Sequence, residues 1–225
     1  MDGPAHDGLE YLGDEVVVIG LSGKKYRRSV CVFIMNENGE FLICRRRDNR
    51  QALQCVQGGA KFGETPQQTA AREVKEEIGI PTRYLTFVSE ITWPESEIAT
   101  SGDGSEPRAM FRYPSKSWRK IGISGQELYP LLYCANSSIV DLVNFRSVPS
   151  VRPEFCEAFW GPLHILSQYA PKSKIDAMTN ACAAVEAYVS LHSPSVAFNA
   201  NAIGSKAPRR VRRRRRKSQS TGVDE

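Results

Sequence analysis

Gly58 to Ile80 reads GGAKFGETPQQTAAREVKEEIGI, and this stretch decides how the rest of the chain is read. Thr65, Pro66 and Gln68 are a helix start signal. The threonine caps, the proline fits the first turn where an N–H has no partner anyway, and the glutamine closes a capping box. Gly79 supplies a left-handed stop. The spacing therefore predicts a helix from Pro66 to about Ile78. At 100° per residue Glu73, Glu76 and Glu77 fall at about 0°, 300° and 40°, so three carboxylates share one face. Ala71, Val74 and Ile78 gather on a separate apolar face. Such a helix can pack on a sheet and still turn its acids toward a cleft.

Those acids repel one another by roughly a few tenths of a kcal/mol per pair. A hard divalent cation removes that cost, and carboxylate oxygens are what Mg²⁺ and Mn²⁺ prefer. Glu64, in the preceding loop, offers a further oxygen. The plain alternative is a solvated acidic face. The neighbouring Gly58 and Gly59 and the adjacent Arg72 argue against it. Glycines let a backbone approach a phosphate closely, and Arg72 can hold the acids or the loop by charge-assisted hydrogen bonds.

Working outward, Glu15 to Ile19, Ser29 to Met35 and Glu40 to Cys44 read as strands. Asn38-Gly39 between the last two is a hairpin signal, since both residues tolerate positive φ. Gln57 to Gly63 reads as a glycine-rich loop. Leu85–Glu90 and Leu128–Cys134 read as further strands. Ile175, Met178, Cys182, Val185 and Val189 recur at helical spacing and predict a core helix over about 172–191. Residues 1–13 read as a loose acidic leader, and 94–108 as an exposed loop. The domain reading is 1–24 acidic leader and first strand, 25–192 folded domain, and 193–225 disordered Arg-rich tail.

The chain has 225 residues, 41% of them hydrophobic, which suffices for one core of normal size. No apolar run is long enough for a membrane span, and no secretory or transit signal opens the chain. Net charge is +5, but Lys206, Arg209, Arg210, Arg212, Arg213, Arg214, Arg215, Arg216 and Lys217 exceed that sum, so the remainder is acidic. The six cysteines show no C-x-x-C spacing and read as reduced thiols. The three histidines do not cluster.

Gly58, five residues, Glu64, seven residues, then Arg72-Glu73-Val74-Lys75-Glu76-Glu77-Ile78-Gly79-Ile80 resembles the Nudix box at every fixed position. The resemblance covers roughly 26–192. It implies an α/β/α sandwich with a mixed β-sheet, and hydrolysis of a phosphoanhydride on a nucleoside diphosphate. It also implies Glu73, Glu76 and Glu77 as ligands to Mg²⁺ or Mn²⁺, with Glu64 and Arg72 shaping the site. Tyr26-Arg27-Arg28, Arg45-Arg46-Arg47, Gln57-Gly58-Gly59, Phe111-Arg112-Tyr113-Pro114 and Pro153-Glu154-Phe155 resemble the branch of RNA pyrophosphohydrolases and plant-type diadenosine tetraphosphate hydrolases. On that likeness Glu154 is a candidate distal ligand or general base beside Glu76. Leu53 and Val56 depart from the branch, which puts a Trp and a Pro there.

Arg27, Arg45 and Arg46, with Arg28 and Arg47 beside them, are candidates for gripping a polyphosphate. Strand alternation lets only some of them point inward. Tyr113, Trp118 and Tyr129 can stack on a base, though core packing is the simpler reading. The expected substrates are dinucleoside polyphosphates or 5′-triphosphorylated or capped RNA. Inorganic polyphosphate or diphosphoinositol polyphosphate is the second enzymatic reading, and an RNA-binding module on the same fold is the non-enzymatic one. The basic tail reads as a localisation signal or an RNA grip, which suits a nuclear or cytoplasmic protein. The sequence does not set an oligomeric state.

Overall fold

The computed structural model describes residues 9–92, 107–146, 148 and 152–192. Within them the chain runs β1 (Leu9–Leu12), β2 (Glu15–Ile19), β3 (Lys25–Met35), β4 (Phe41–Arg46), β5 (Leu53–Gln54), β6 (Val56–Gly59), α1 (Pro66–Ile78), β7 (Thr86–Glu90), β8 (Arg112–Pro114), β9 (Gly125–Cys134), β10 (Phe155–Gly161), α2 (His164–Gln168) and α3 (Ile175–His192). The strands form one mixed sheet around β3. It is antiparallel to β2, β4 and β6 and parallel to β9. β4 continues the sheet to β10.

Alternation along β3 divides the core into two layers. Cys31, Phe33 and Met35 face Met178, Ala181, Cys182 and Val185 of α3. Val30, Val32 and Ile34 face Ala70, Val74 and Ile78 of α1. This is the expected α/β/α sandwich. α1 begins on the Thr65–Gln68 capping box and ends on Gly79 at φ 72°, as its sequence predicts. Its buried face is Thr69, Ala70, Val74, Glu77 and Ile78. Ala71, placed on the apolar face by periodicity, is only partly covered, and Glu77 takes a place in the packed face.

Other expectations change. The hairpin turn forms at Gly39, φ 77°, but β3 and β4 pair only at Met35–Phe41, because β6 occupies the next stretch of β3. Residues 57–59, read as part of a loop, belong to strand β6. Leu9–Leu12, read as leader, is strand β1 paired to β2. Residues 172–174 form a 3₁₀ turn before α3, and Ile175 is exposed rather than core. All six cysteines are free. Among the described residues no helix is long and apolar enough to cross a membrane. Residues 1–8, most of the 94–108 stretch and the Arg-rich tail lie outside the described residues.

Ile78 is fully buried where α1 meets β3. Ile78→Ala should lower the unfolding free energy by about 2–5 kcal/mol in urea titration, with an unchanged m-value. A loss below about 1 kcal/mol would show that this contact does not carry the helix–sheet packing.

Candidate active site

The site is built around Arg72. Its Nε and Nη2 donate to the two Glu64 carboxylate oxygens at 2.7 and 2.8 Å. Nη2 also donates to the Gly59 carbonyl at 2.8 Å. Nη1 donates to Glu73 and lies 3.7 Å from Glu76. One guanidinium therefore ties the loop, strand β6 and the acidic face of α1 together. Thr69 Oγ1 and the Lys61 N–H also donate to Glu64. Hydrogen bonding to Arg72 outweighs burial and holds the Glu64 carboxyl down at about 2.

The two box glycines clear space for the chain's own side chains. A Cβ on Gly58 would lie 1.8 Å from the Glu73 carboxyl carbon, and one on Gly59 would lie 1.8 Å from Arg27 Nη2. Because neighbours on a strand face opposite ways, the doublet seats a carboxylate on one face and a guanidinium on the other. Arg27 also pairs with Glu15 and stands 4.8 Å over the Trp118 ring.

Glu77 accepts from the Gln57 backbone N–H at 3.3 Å. Burial pushes its carboxyl well above the usual range, and the negative charges of Glu154 and Glu73 push it further. Burial also raises Glu73, against the pull of Arg72. Glu154, from the loop before β10, is thus near enough for its charge to be felt at Glu77. It is half exposed and accepts from Arg46 Nη1 at 3.1 Å.

Sequence reasoning missed Lys174, in the turn before α3. Its Nζ donates to Gln57 Oε1 at 3.0 Å and lies 5.2 Å from the Tyr113 ring centroid. Gln57 Nε2 in turn donates to the Tyr113 hydroxyl at 2.8 Å. Burial, then the Arg46 charge, lowers the Lys174 pKa. No local pattern in Pro171-Lys172-Ser173-Lys174 marks this lysine; only the fold carries it to β6.

The structure gathers Gly58, Gly59, Glu64, Arg72, Glu73, Glu76 and Glu77, with Arg27 on the opposite face of β6. Glu154 and Arg46 join them from across the sheet. Arg45 has other partners: Glu157, the Arg50 carbonyl and the Phe159 ring. Arg28 stands over Tyr129 on the α1 face, and Arg47 bonds the Phe155 carbonyl. Tyr113 and Tyr129 are buried, as are Leu53 and Val56. The tail cations Arg209 to Lys217 lie outside the described residues.

As they stand, no three His, Cys, Asp or Glu side chains among the described residues are gathered to cage a divalent ion, since Arg72 engages Glu73 and Glu76. The donor chemistry does fit. All candidate ligands are hard oxygens, and Glu77 is a buried carboxyl facing other acids without a cation on it.

A family model described as the NUDIX domain matches residues 25–127. Residues 25–127 are thus similar to a Nudix domain. It is 35% identical over 104 residues to the RNA pyrophosphohydrolase of Gluconobacter oxydans, covering 45% of this chain and 60% of that protein. To the RNA pyrophosphohydrolase of Rhodospirillum rubrum it is 30% identical over 110 residues, 48% of this chain and 66% of that one. The chain thus spans about 60–66% of the length of these relatives. A solved C. elegans Ap4A hydrolase binary complex is 18% identical with a TM-score of 0.49, covering 72% of this chain and 97% of that one.

Glu64→Gln should cost about 2 kcal/mol of stability at pH 7, because it breaks a two-pronged ion pair. The folded-state carboxyl sits at about 2 against an ordinary 4.5. A depressed carboxylate stabilises fully above its unfolded value and loses that contribution as pH falls through the folded one. The gap between wild type and variant should therefore close between pH of about 4.5 and about 2 in denaturant titrations. A gap independent of pH would refute the ion-pair account.

Proposed function

We propose that the chain is a metal-dependent pyrophosphohydrolase acting on dinucleoside polyphosphates or 5′-triphosphorylated RNA. The observation that carries this reading is the meeting of Glu73, Glu76, Glu77 and Glu154 with Arg27, Arg46 and Lys174. Acids for a divalent ion and cations for phosphate oxygens border one site. Mg²⁺ or Mn²⁺ would be held by Glu73, Glu76 and Glu77, and when bound would polarise the phosphate and lower the pKa of a water.

The chain's own residues do the rest. Arg46 and Lys174, with Arg27 on the far face of β6, bind and orient the phosphate chain. Gln57, clamped by Tyr113 and Lys174, keeps its N–H on Glu77 and so fixes that carboxylate. Glu154 accepts the proton from the attacking water, restrained by Arg46. The Arg-rich run from Arg209 to Lys217 serves as a nuclear localisation signal that also strengthens RNA binding. The RNA pyrophosphohydrolase relatives support the RNA arm, and the departures at Leu53 and Val56 keep inorganic polyphosphate and a diphosphoinositol polyphosphate in the test panel.

Purified protein should release phosphate or nucleotide from one substrate class with Mg²⁺ or Mn²⁺. Glu76→Gln should lower kcat by about 100-fold or more. No turnover of any class, with RNA still bound, would replace this reading with a binding module. Gly58→Ala separates site from scaffold. The three atoms nearest the added methyl all belong to the end of the Glu73 side chain, so stability should fall by no more than about 1–3 kcal/mol. Divalent-metal affinity, read by calorimetry, should fall about 10–100-fold. Unchanged affinity would remove Glu73 from the ligand set.

A further inference from the structure

Tyr113 belongs to two places. Its hydroxyl meets Gln57 beside the acids, and the residue also lines a separate cavity of about 490 Å³. That volume lies in the range of small-ligand sites. Lys24, Tyr26, Arg112 and Arg119 line it with Tyr113, and none of its lining residues is acidic.

The lining cations are of two kinds. Arg112 is fixed. It donates from Nε and Nη2 to the fully buried Glu127 at 2.9 and 2.8 Å, and its guanidinium lies 4.6 Å from the Tyr26 ring centroid. This makes a flat wall, its guanidinium held by a carboxylate that Arg28 also approaches to 3.9 Å. Lys24 and Arg119 are exposed, and neither has an ion pair or side-chain hydrogen bond among the described residues. They leave two uncompensated positive charges at the rim. Lys116 and Lys120, on the same turn as Arg119, add to that field. The turn is joined to the acid site, because Trp118 stacks under Arg27 and Arg27 packs on Gly59.

A flat guanidinium–aromatic wall suits a base, and free cations at its rim suit a phosphate. A bare phosphate chain would use the rim and leave the wall idle. We propose that this cavity binds a second nucleoside 5′-phosphate unit of the substrate, beyond the nucleoside nearest the bond that is cut. Lys24 and Arg119 take the phosphate, and the Arg112–Tyr26 wall takes the base. This deepens the hydrolase reading and rests on it. The unit can be the second nucleotide of an RNA 5′ end or the second nucleoside of a dinucleoside polyphosphate.

The test uses the full chain in EDTA, so that no metal bridges AMP to the acids. In calorimetry wild type should bind AMP, and inorganic phosphate at least tenfold more weakly. The double variant Lys24→Glu, Arg119→Glu should weaken AMP at least tenfold. A control of equal charge change, Lys172→Glu with Arg146→Glu, should stay within twofold. No AMP binding by wild type, or an equal loss in the control, overturns the proposal. With Mg²⁺, the double variant should raise KM tenfold for triphosphorylated ApG or diadenosine tetraphosphate at unchanged kcat, and leave ATP unaffected. Which of the two rises identifies the source of the unit; a rise in neither overturns the site. A wild type that binds AMP in the cavity yet hydrolyses nothing overturns the hydrolase reading alone.

Discussion

Everything at this site depends on one guanidinium. Arg72 holds both oxygens of Glu64, one oxygen of Glu73, the Gly59 carbonyl and the field of Glu76. Without it, three acids on one helix face would repel one another beside a partly buried loop carboxylate. With it, the acids of α1 and Glu64 are held around one positive charge. The same contacts set a competition. Any cation that joins Glu73 and Glu76 must share their oxygens with Arg72, whereas Glu77 lies outside its reach. Glu77 is instead tied to the Gln57 N–H and shaped by burial. The acidic face therefore has two unlike halves, one neutralised by arginine and one left buried and under-compensated.

The glycine doublet works by the same logic of space. Glycine beside an acidic helix suggests room for a phosphate, and here the room is filled by Glu73 and Arg27. Strand alternation turns two adjacent glycines into seats on opposite faces of β6. One side of the strand holds acid and the other holds base, so charge is segregated across a single strand.

How much of this was legible depended on the range of the interaction. α1 could be bounded to the residue because its signals are local: Thr65, Pro66, Gln68 and Gly79 act within a few positions. Its acids could be named because the box spacing is long and specific. The burial of Glu77 could not be read, since the wheel showed an apolar face centred near Val74 and Ile78, while the sheet sits on a wider arc that includes Thr69 and Glu77. β10 escaped notice because FCEAFWG has no clean alternation and its partner β4 is over a hundred residues away. Arg45 and Arg46 were equal candidates in sequence; register alone sends the first to Glu157 and the second to Glu154. The α/β/α layering followed from the family resemblance, and β3 shows its cause in the alternation of Val30, Val32 and Ile34 against Cys31, Phe33 and Met35.

The family match ends at residue 127, yet the site does not. The box supplies acids to its own side of the sheet, and its arginine, Arg72, is engaged by them. A polyanionic ligand needs positive charge from elsewhere in the fold. Arg46 comes from β4 and Lys174 from the approach to α3, while Glu154 is carried in by the turn into β10. Gln57 is the junction, since its backbone serves Glu77 and its side chain is gripped by Tyr113 and Lys174. Residues beyond the matched segment, Glu154 and Lys174, thus help to set the electrostatics around the box.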